Sequence, residues 1–269
     1  MGHILAPRPA PYRPPQGAVE VDWTHSLARG LVFCLEGHDE GRDLVSGAFP
    51  TFTSVTRDVL NDSRGWKQAA TGSMDYGTNK ATGLLGKSPA TWYVRCLLTT
   101  ANAGRLCSQS DADIDSGWNI MTGNAGIALK IPCGSGDFQA ESNNLTIPTN
   151  KEFQFVITYD GTTTSATACG FWSEFIKGTT TNNSDGVGTR GDASTQTLYV
   201  GRNNIDASAN TGTIFGIRIY DRLLDTTEVY ALFENARQML KYLKNVTYSF
   251  PGKLAAAVTT NPSRFMIGG

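Results

Sequence analysis

The stretch GTIFGIRIYDRLLDTTEVYALFENARQMLKYL (212–243) decides the fold. Its first half reads as a strand, with Ile214, Ile217 and Ile219 in a β-branched, aromatic-rich run. Its second half reads as a helix. Asp225 stands where an N-cap belongs, and Glu228 follows three residues later to complete a capping box. Val229, Leu232, Phe233, Ala236, Leu240 and Leu243 recur at a spacing of three or four, which marks one apolar face. Basic residues gather towards its end, where the helix dipole favours them. The pattern predicts a helix over about 225–241.

Working outward, other strand-like runs alternate with turn clusters. GLVFCLEG (30–37) reads as a buried strand, and TWYVRCLLTT (91–100) alternates. There Trp92, Val94, Cys96 and Leu98 share one face, and Tyr93, Arg95 and Leu97 share the other. GRLCSQS (104–110), SGWNIMTG (116–123), GIALKIP (126–132) and TLYVGRN (197–203) are shorter. A brief strand is expected near Ser73–Tyr76. EFQFVITYD (152–160) ends at Asp160–Gly161, a turn signal, and CGFWSEFIKG (169–178) is placed to pair with it. NVTYSF (245–250) could add a strand after the helix. Many strands at short spacing predict an all-β protein: a jelly-roll β-sandwich of two antiparallel sheets over about 19–224, with one helix on its C-terminal side.

Composition agrees. The 269 residues include 29 glycines and 31 threonines, and only 17% are charged. Threonine suits strands and glycine suits turns, so coiled coils and general disorder are excluded. A formal net charge of −1 gives no global basic field for nucleic acid. No apolar run approaches the ~20 residues of a membrane span, and MGHILAPRPAPYRPP breaks into prolines before any secretory apolar region forms. Synthesis in a cytosol is the expectation. The five cysteines, at 34, 96, 107, 133 and 169, form no CxxC pair and read mainly as small buried hydrophobes.

The charge is unevenly placed. Residues 1–19 carry +2 and residues 235–269 carry +5, neither with any acid, so the body between them carries −8. Five of the eleven prolines stand in residues 1–17, which predicts an extended arm. The organisation expected is an arm over 1–18, a body over 19–244 and a C-terminal extension over 245–269. The ends are candidate partner-binding segments: Pro7, Arg8, Pro9, Tyr12 and Arg13 in the first, and Lys253, Leu254, Arg264, Phe265 and Met266 in the second. Their basic character suits an acidic neighbour.

These blocks together resemble the laminin-G-like, concanavalin-A-like lectin/glucanase domain over about residues 27–240. The most specific part is Phe215-Gly216-Ile217-Arg218-Ile219-Tyr220-Asp221-Arg222-Leu223, followed by the acidic cap and helix; it is one residue more compact than the family's pattern. Tyr159-Asp160-Gly161 resembles the family's central hairpin. A narrower resemblance is to versions of this domain in tailed-bacteriophage virion proteins. It rests on the proline-rich arm, on Asp43–Gly47, and on Ala231-Leu232-Phe233-Glu234-Asn235-Ala236. Ala236 stands where that pattern has proline, which leaves the helix free to run on.

The resemblance implies a fold that hosts binding, hydrolysis or pure structure. Glycoside hydrolysis needs two carboxylates at a set separation. The eight glutamates (20, 36, 40, 141, 152, 174, 228 and 234) contain no E-x-D-x-x-E strand, so no catalytic residue is assigned. The three histidines, at 3, 25 and 38, and the absence of a G-x-S-x-G elbow give no nucleophile system. Asp111, Asp113 and Asp115 alternate like the start of a calcium loop, but Ser116 and Thr122 replace its glycine and glutamate. They are the candidate metal ligands, calcium being the cofactor considered. Trp66 and Trp118, near turns or strand ends, are candidate glycan platforms. The reading is a non-enzymatic bacteriophage virion protein, a head decoration, cement or tail accessory held to other virion subunits by its ends. The alternative is a carbohydrate-binding module for host surface glycan, marked by an aromatic-lined pocket.

Overall fold

The computed structural model describes residues 19–37, 39–60, 63–100, 104–110, 116–123, 126–142, 144–162, 166–201 and 211–242. Strands dominate: β1 (Val19–Val21), β2 (Leu31–Glu36), β3 (Thr51–Leu60), β4 (Ser63–Thr78), β5 (Ala90–Leu98), β6 (Gly104–Ser110), β7 (Gly117–Gly123) and β8 (Gly126–Ile131). They continue with β9 (Phe138–Ser142), β10 (Glu152–Tyr159), β11 (Cys169–Ser173), β12 (Ile176–Lys177), β13 (Thr180–Ser184), β14 (Thr197–Gly201), β15 (Gly212–Tyr220) and β16 (Leu240–Tyr242). Among the described residues the α-helices are α1 (Lys80–Gly83) and α2 (Thr226–Asn235).

The fold is a jelly-roll β-sandwich. A continuous antiparallel path runs β12-β11-β10-β5-β15-β4-β14-β6-β7-β8-β9-β13, with β2 on β15 and β3 on β4. Strand β4 turns the corner between layers: residues 66–68 pair with β15, and residues 73–78 pair with β14. It is a single 16-residue strand, far longer than the brief strand expected near Ser73. Contacts between the layers fill the interior. Trp92 of β5 meets Trp118 of β7 with ring centroids 5.4 Å apart, and Phe138 of β9 meets Tyr159 of β10 at 5.8 Å.

The alternation expected on β5 is present. Trp92, Val94, Cys96 and Leu98 enter the interior core. Tyr93 faces outward into a second core with Cys34, Val156, Trp172 and Tyr220. Helix α2 closes this second core with Val229, Leu232 and Phe233. The inner layer of the protein is therefore buried on both faces, and α2 supplies the cover.

The capping box forms as the spacing predicts: Glu228 N–H donates to Asp225 Oδ1 at 2.9 Å, and Asp225 N–H donates to Glu228 Oε2 at 3.1 Å. The helix is shorter than predicted, ending at Asn235 and not near 241. The Asn235 side chain accepts from Arg237 N–H at 3.1 Å, and its carbonyl accepts from Gln238 N–H at 3.1 Å, so the chain turns there. Leu240 then pairs with Val21 as part of β16 against β1. The apolar spacing beyond Ala236 belongs to a strand that enters the same second core, which is why it imitates a longer helix. The strand suggested at 245–250 lies outside the described residues.

Candidate functional site

The outer face of the layer carries residues that alternate with the core positions. On β2 these are Cys34 and Glu36, on β15 Arg218 and Tyr220, and on β5 Tyr93 and Arg95. Helix α2 covers part of this face and stops at Asn235. Beyond its end the face opens into a groove of about 590 Å³. Its polar lining comes from Arg95, Glu152, Gln154, Glu174, Glu234, Asn235 and Arg237.

Most of these side chains are fixed by a partner. Arg95, which stands opposite Gln154 on β10, pairs diagonally with Glu152 and donates to Ser63 Oγ at 2.9 Å. Gln154 accepts from the Tyr93 hydroxyl at 2.9 Å and donates to the Phe233 carbonyl at 3.0 Å, which ties the sheet to the helix end. Burial pushes the Tyr93 hydroxyl up to about 12, so it donates at any ordinary pH. Glu174 accepts from Gln154 N–H at 3.1 Å. Beneath the groove, Glu36 is held between two guanidiniums: Arg218, fully buried, and Arg237, whose Nε lies 3.3 Å from Glu36 Oε2.

An aromatic pair, Phe175 and Tyr230, lies outside the groove lining but adjoins it, since Phe175 follows Glu174 and packs on Phe233, both of which line it. Ser173 and Ile176 pair across a two-residue hairpin loop, Glu174–Phe175. Both loop residues have positive φ, 49° and 69°, as the tight turn of a twisted hairpin requires. Glycine or asparagine normally fills such positions, and a bulky residue there stores strain of ~1–3 kcal/mol. The turn sets the Phe175 ring 5.3 Å from Phe233 and 6.0 Å from Tyr230. Phe175 is 44% exposed and Tyr230 39% exposed. A strained turn thus holds one aromatic face in solvent beside another, at the edge of a groove of planar polar groups.

The residues singled out in the sequence fall elsewhere. Trp118 is a correction: it is fully buried, packs on Trp92, and donates its indole N–H to the Thr82 carbonyl at 2.7 Å. Trp66 is also a correction. It is buried, with Phe52 stacked at 4.8 Å and the Arg57 guanidinium 5.0 Å from its ring. Neither indole offers a face to a sugar. Asp111, Asp113 and Asp115 lie outside the described residues, as do Pro7, Arg8, Pro9, Tyr12, Arg13, Lys253, Leu254, Arg264, Phe265 and Met266. Among the described residues no group of three or more His, Cys, Asp or Glu is placed to hold a metal. All five cysteines are buried and free.

The groove residues were missed by sequence reasoning, although two signals pointed to them. Tyr230 is a large aromatic on α2 outside the apolar stripe. Ser-Glu-Phe-Ile at 173–176 is a hairpin turn with no residue suited to it.

No protein-family profile matches the chain, and no curated protein matches its sequence at a significant level. Solved structures do match in fold. The binding domain of Paraclostridial Mosquitocidal Protein 1 superposes with a TM-score of 0.61 at 17% identity, covering 79% of this chain and 54% of that one. Domain 4 of AbnA, a GH43 extracellular arabinanase from Geobacillus stearothermophilus solved with arabinotriose, gives 0.56 at 15% identity, covering 75% and 97%. Trypanosoma rangeli sialidase gives 0.56 at 12% identity, covering 78% of this chain and 33% of that one. The chain thus spans about half of the Mosquitocidal Protein 1 binding domain, a third of the sialidase and nearly all of the arabinanase domain. At these identities the likeness shows the fold alone, a β-sandwich.

Proposed function

We propose that the chain is a non-catalytic carbohydrate-binding module whose site is the groove at the end of α2. The observation that carries this reading is the pairing of the half-exposed Phe175–Tyr230 shelf with planar hydrogen-bonding groups in the groove. Sugars present apolar C–H faces and rings of hydroxyls, so they are held by an aromatic ring on one side and by Arg, Glu, Gln and Asn side chains on the other. The strained turn supports the same reading, because strain at a bulky exposed residue concentrates at binding sites.

The structural neighbours are consistent with it: one is the binding domain of Paraclostridial Mosquitocidal Protein 1, and another is domain 4 of an arabinanase solved with arabinotriose. Binding, not turnover, fits the carboxylates. Glu152 is taken up in an ion pair with Arg95, so it does not stand as one of two free carboxylates facing each other across the groove. The bacteriophage-particle expectation finds no support in these relatives, and the glycan reading is preferred to it.

Calorimetric titration with a panel of oligosaccharides, arabinotriose among them, tests the proposal. Phe175→Ala and Tyr230→Ala should each weaken binding by about tenfold, the scale of one stacking contact. Undiminished affinity in both variants would contradict the site.

A further inference from the structure

Resting on that reading, we infer that the groove selects neutral glycans and discriminates against sugars that carry a carboxylate. The charges that line it do not cancel. Arg95 and Glu152 neutralise each other. Glu174 and Glu234 are both exposed, and among the described residues neither has an ion-pair partner. They place two carboxylates at the rim. The opposing charge lies deeper: Arg218 and Arg237 share one carboxylate, Glu36, which leaves one positive charge in excess below the floor. Arg218 has 1% of its side chain exposed, so it cannot reach a ligand, and Arg237 has 11%. The balance over the groove is one net negative charge, with the negative groups outermost.

Hydrogen-bond chemistry leads to the same specificity. The rim carboxylates accept and do not donate. A hydroxyl can donate to Glu174 or Glu234, whereas a sugar carboxylate can only accept. It would find no donor in these two groups and would face two like charges at the rim, an arrangement that costs affinity and slows encounter. The body's acidic balance adds to that field.

The test is a glycan array read with the full-length chain. The array carries matched pairs: each neutral oligosaccharide beside the same oligosaccharide capped with sialic acid or a uronic acid. The expected result is a preference of about tenfold or more for the neutral member of each bound pair at low salt. It should shrink at high salt as the rim charges are screened. In the Glu174→Gln/Glu234→Gln double variant the ratio should fall towards unity through a gain in acidic binding. Equal or stronger binding of the acidic members by the unmodified protein would overturn the inference while leaving the glycan reading intact. Binding to no member of either series would overturn the glycan reading itself, and the charge rule with it.

Discussion

Glu36 and Arg237 stand 201 residues apart and meet beneath the end of α2, with Arg237 Nε 3.3 Å from Glu36 Oε2. Arg218 holds the other oxygen, so a single buried carboxylate joins β2, β15 and the turn after the helix. Deleting it would strand two guanidiniums in the second core. Glu36→Ala should therefore destabilise the protein by about 3–5 kcal/mol, read from urea unfolding. A loss below about 1 kcal/mol would mean that water or another group replaces the carboxylate.

The hairpin turn separates stability from binding. Phe175 holds φ at 69°, a conformation that glycine adopts without strain. Phe175→Gly should leave the unfolding free energy unchanged or raise it by up to ~1 kcal/mol. The same substitution removes the exposed ring and should weaken glycan binding about tenfold. Paired loss of both properties would show that Phe175 serves the fold through its contacts with Phe233 and Tyr230.

Two carboxylates tie stability to pH. Hydrogen bonds from Arg222 hold the Glu228 carboxyl below its ordinary value of 4.5, and Lys241 together with Thr24 brings Asp22 down from 3.8 to about 2. A depressed folded-state pKa contributes stability that is complete above the unfolded value and disappears as pH falls through the folded one. The melting temperature should hold from neutral pH to about 4.5 and then fall towards pH 2. Asp22→Asn/Glu228→Gln should be less stable at pH 7 and show a shallower acid limb. An unchanged limb in that variant would assign acid sensitivity to other groups.

The thiols should be silent. All five cysteines are buried, and burial pushes the Cys34, Cys96, Cys107, Cys133 and Cys169 thiols up. A disulfide reagent at pH 8 should find no reactive thiol in the native protein and five in denaturant. Rapid native modification of any of them would contradict the packing of its strand.

Much of the fold was legible because local and tertiary demands agree. The alternation on β5 and the Asp225–Glu228 box appear in the sequence as they do in the structure, each fixed by a period or a cap that only one conformation satisfies. The helix end was not legible. Leu240 continues the apolar spacing of α2, yet it serves β16, because both elements bury side chains in one core. The candidate site was less legible still. Trp66 and Trp118 read as exposed near turns, but a sandwich buries such rings between its layers. The groove assembles Arg95, Glu152, Glu174 and Arg237 from two strands and two turns, and no sequence period links positions brought together only by strand order. Phe175 was the accessible clue, since a phenylalanine in a two-residue turn is costly unless its placement matters.

The central claim is that the groove at the end of α2 is where glycan binds. The most direct measurement is an amide chemical-shift map of the full chain titrated with the tightest oligosaccharide of the calorimetric panel. The account predicts that shifts concentrate at Gln154, Glu174, Phe175, Tyr230 and residues 233–237, saturating at the calorimetric affinity. Saturable shifts confined to another surface, such as the β3–β4 hairpin, with these positions unmoved, would contradict it.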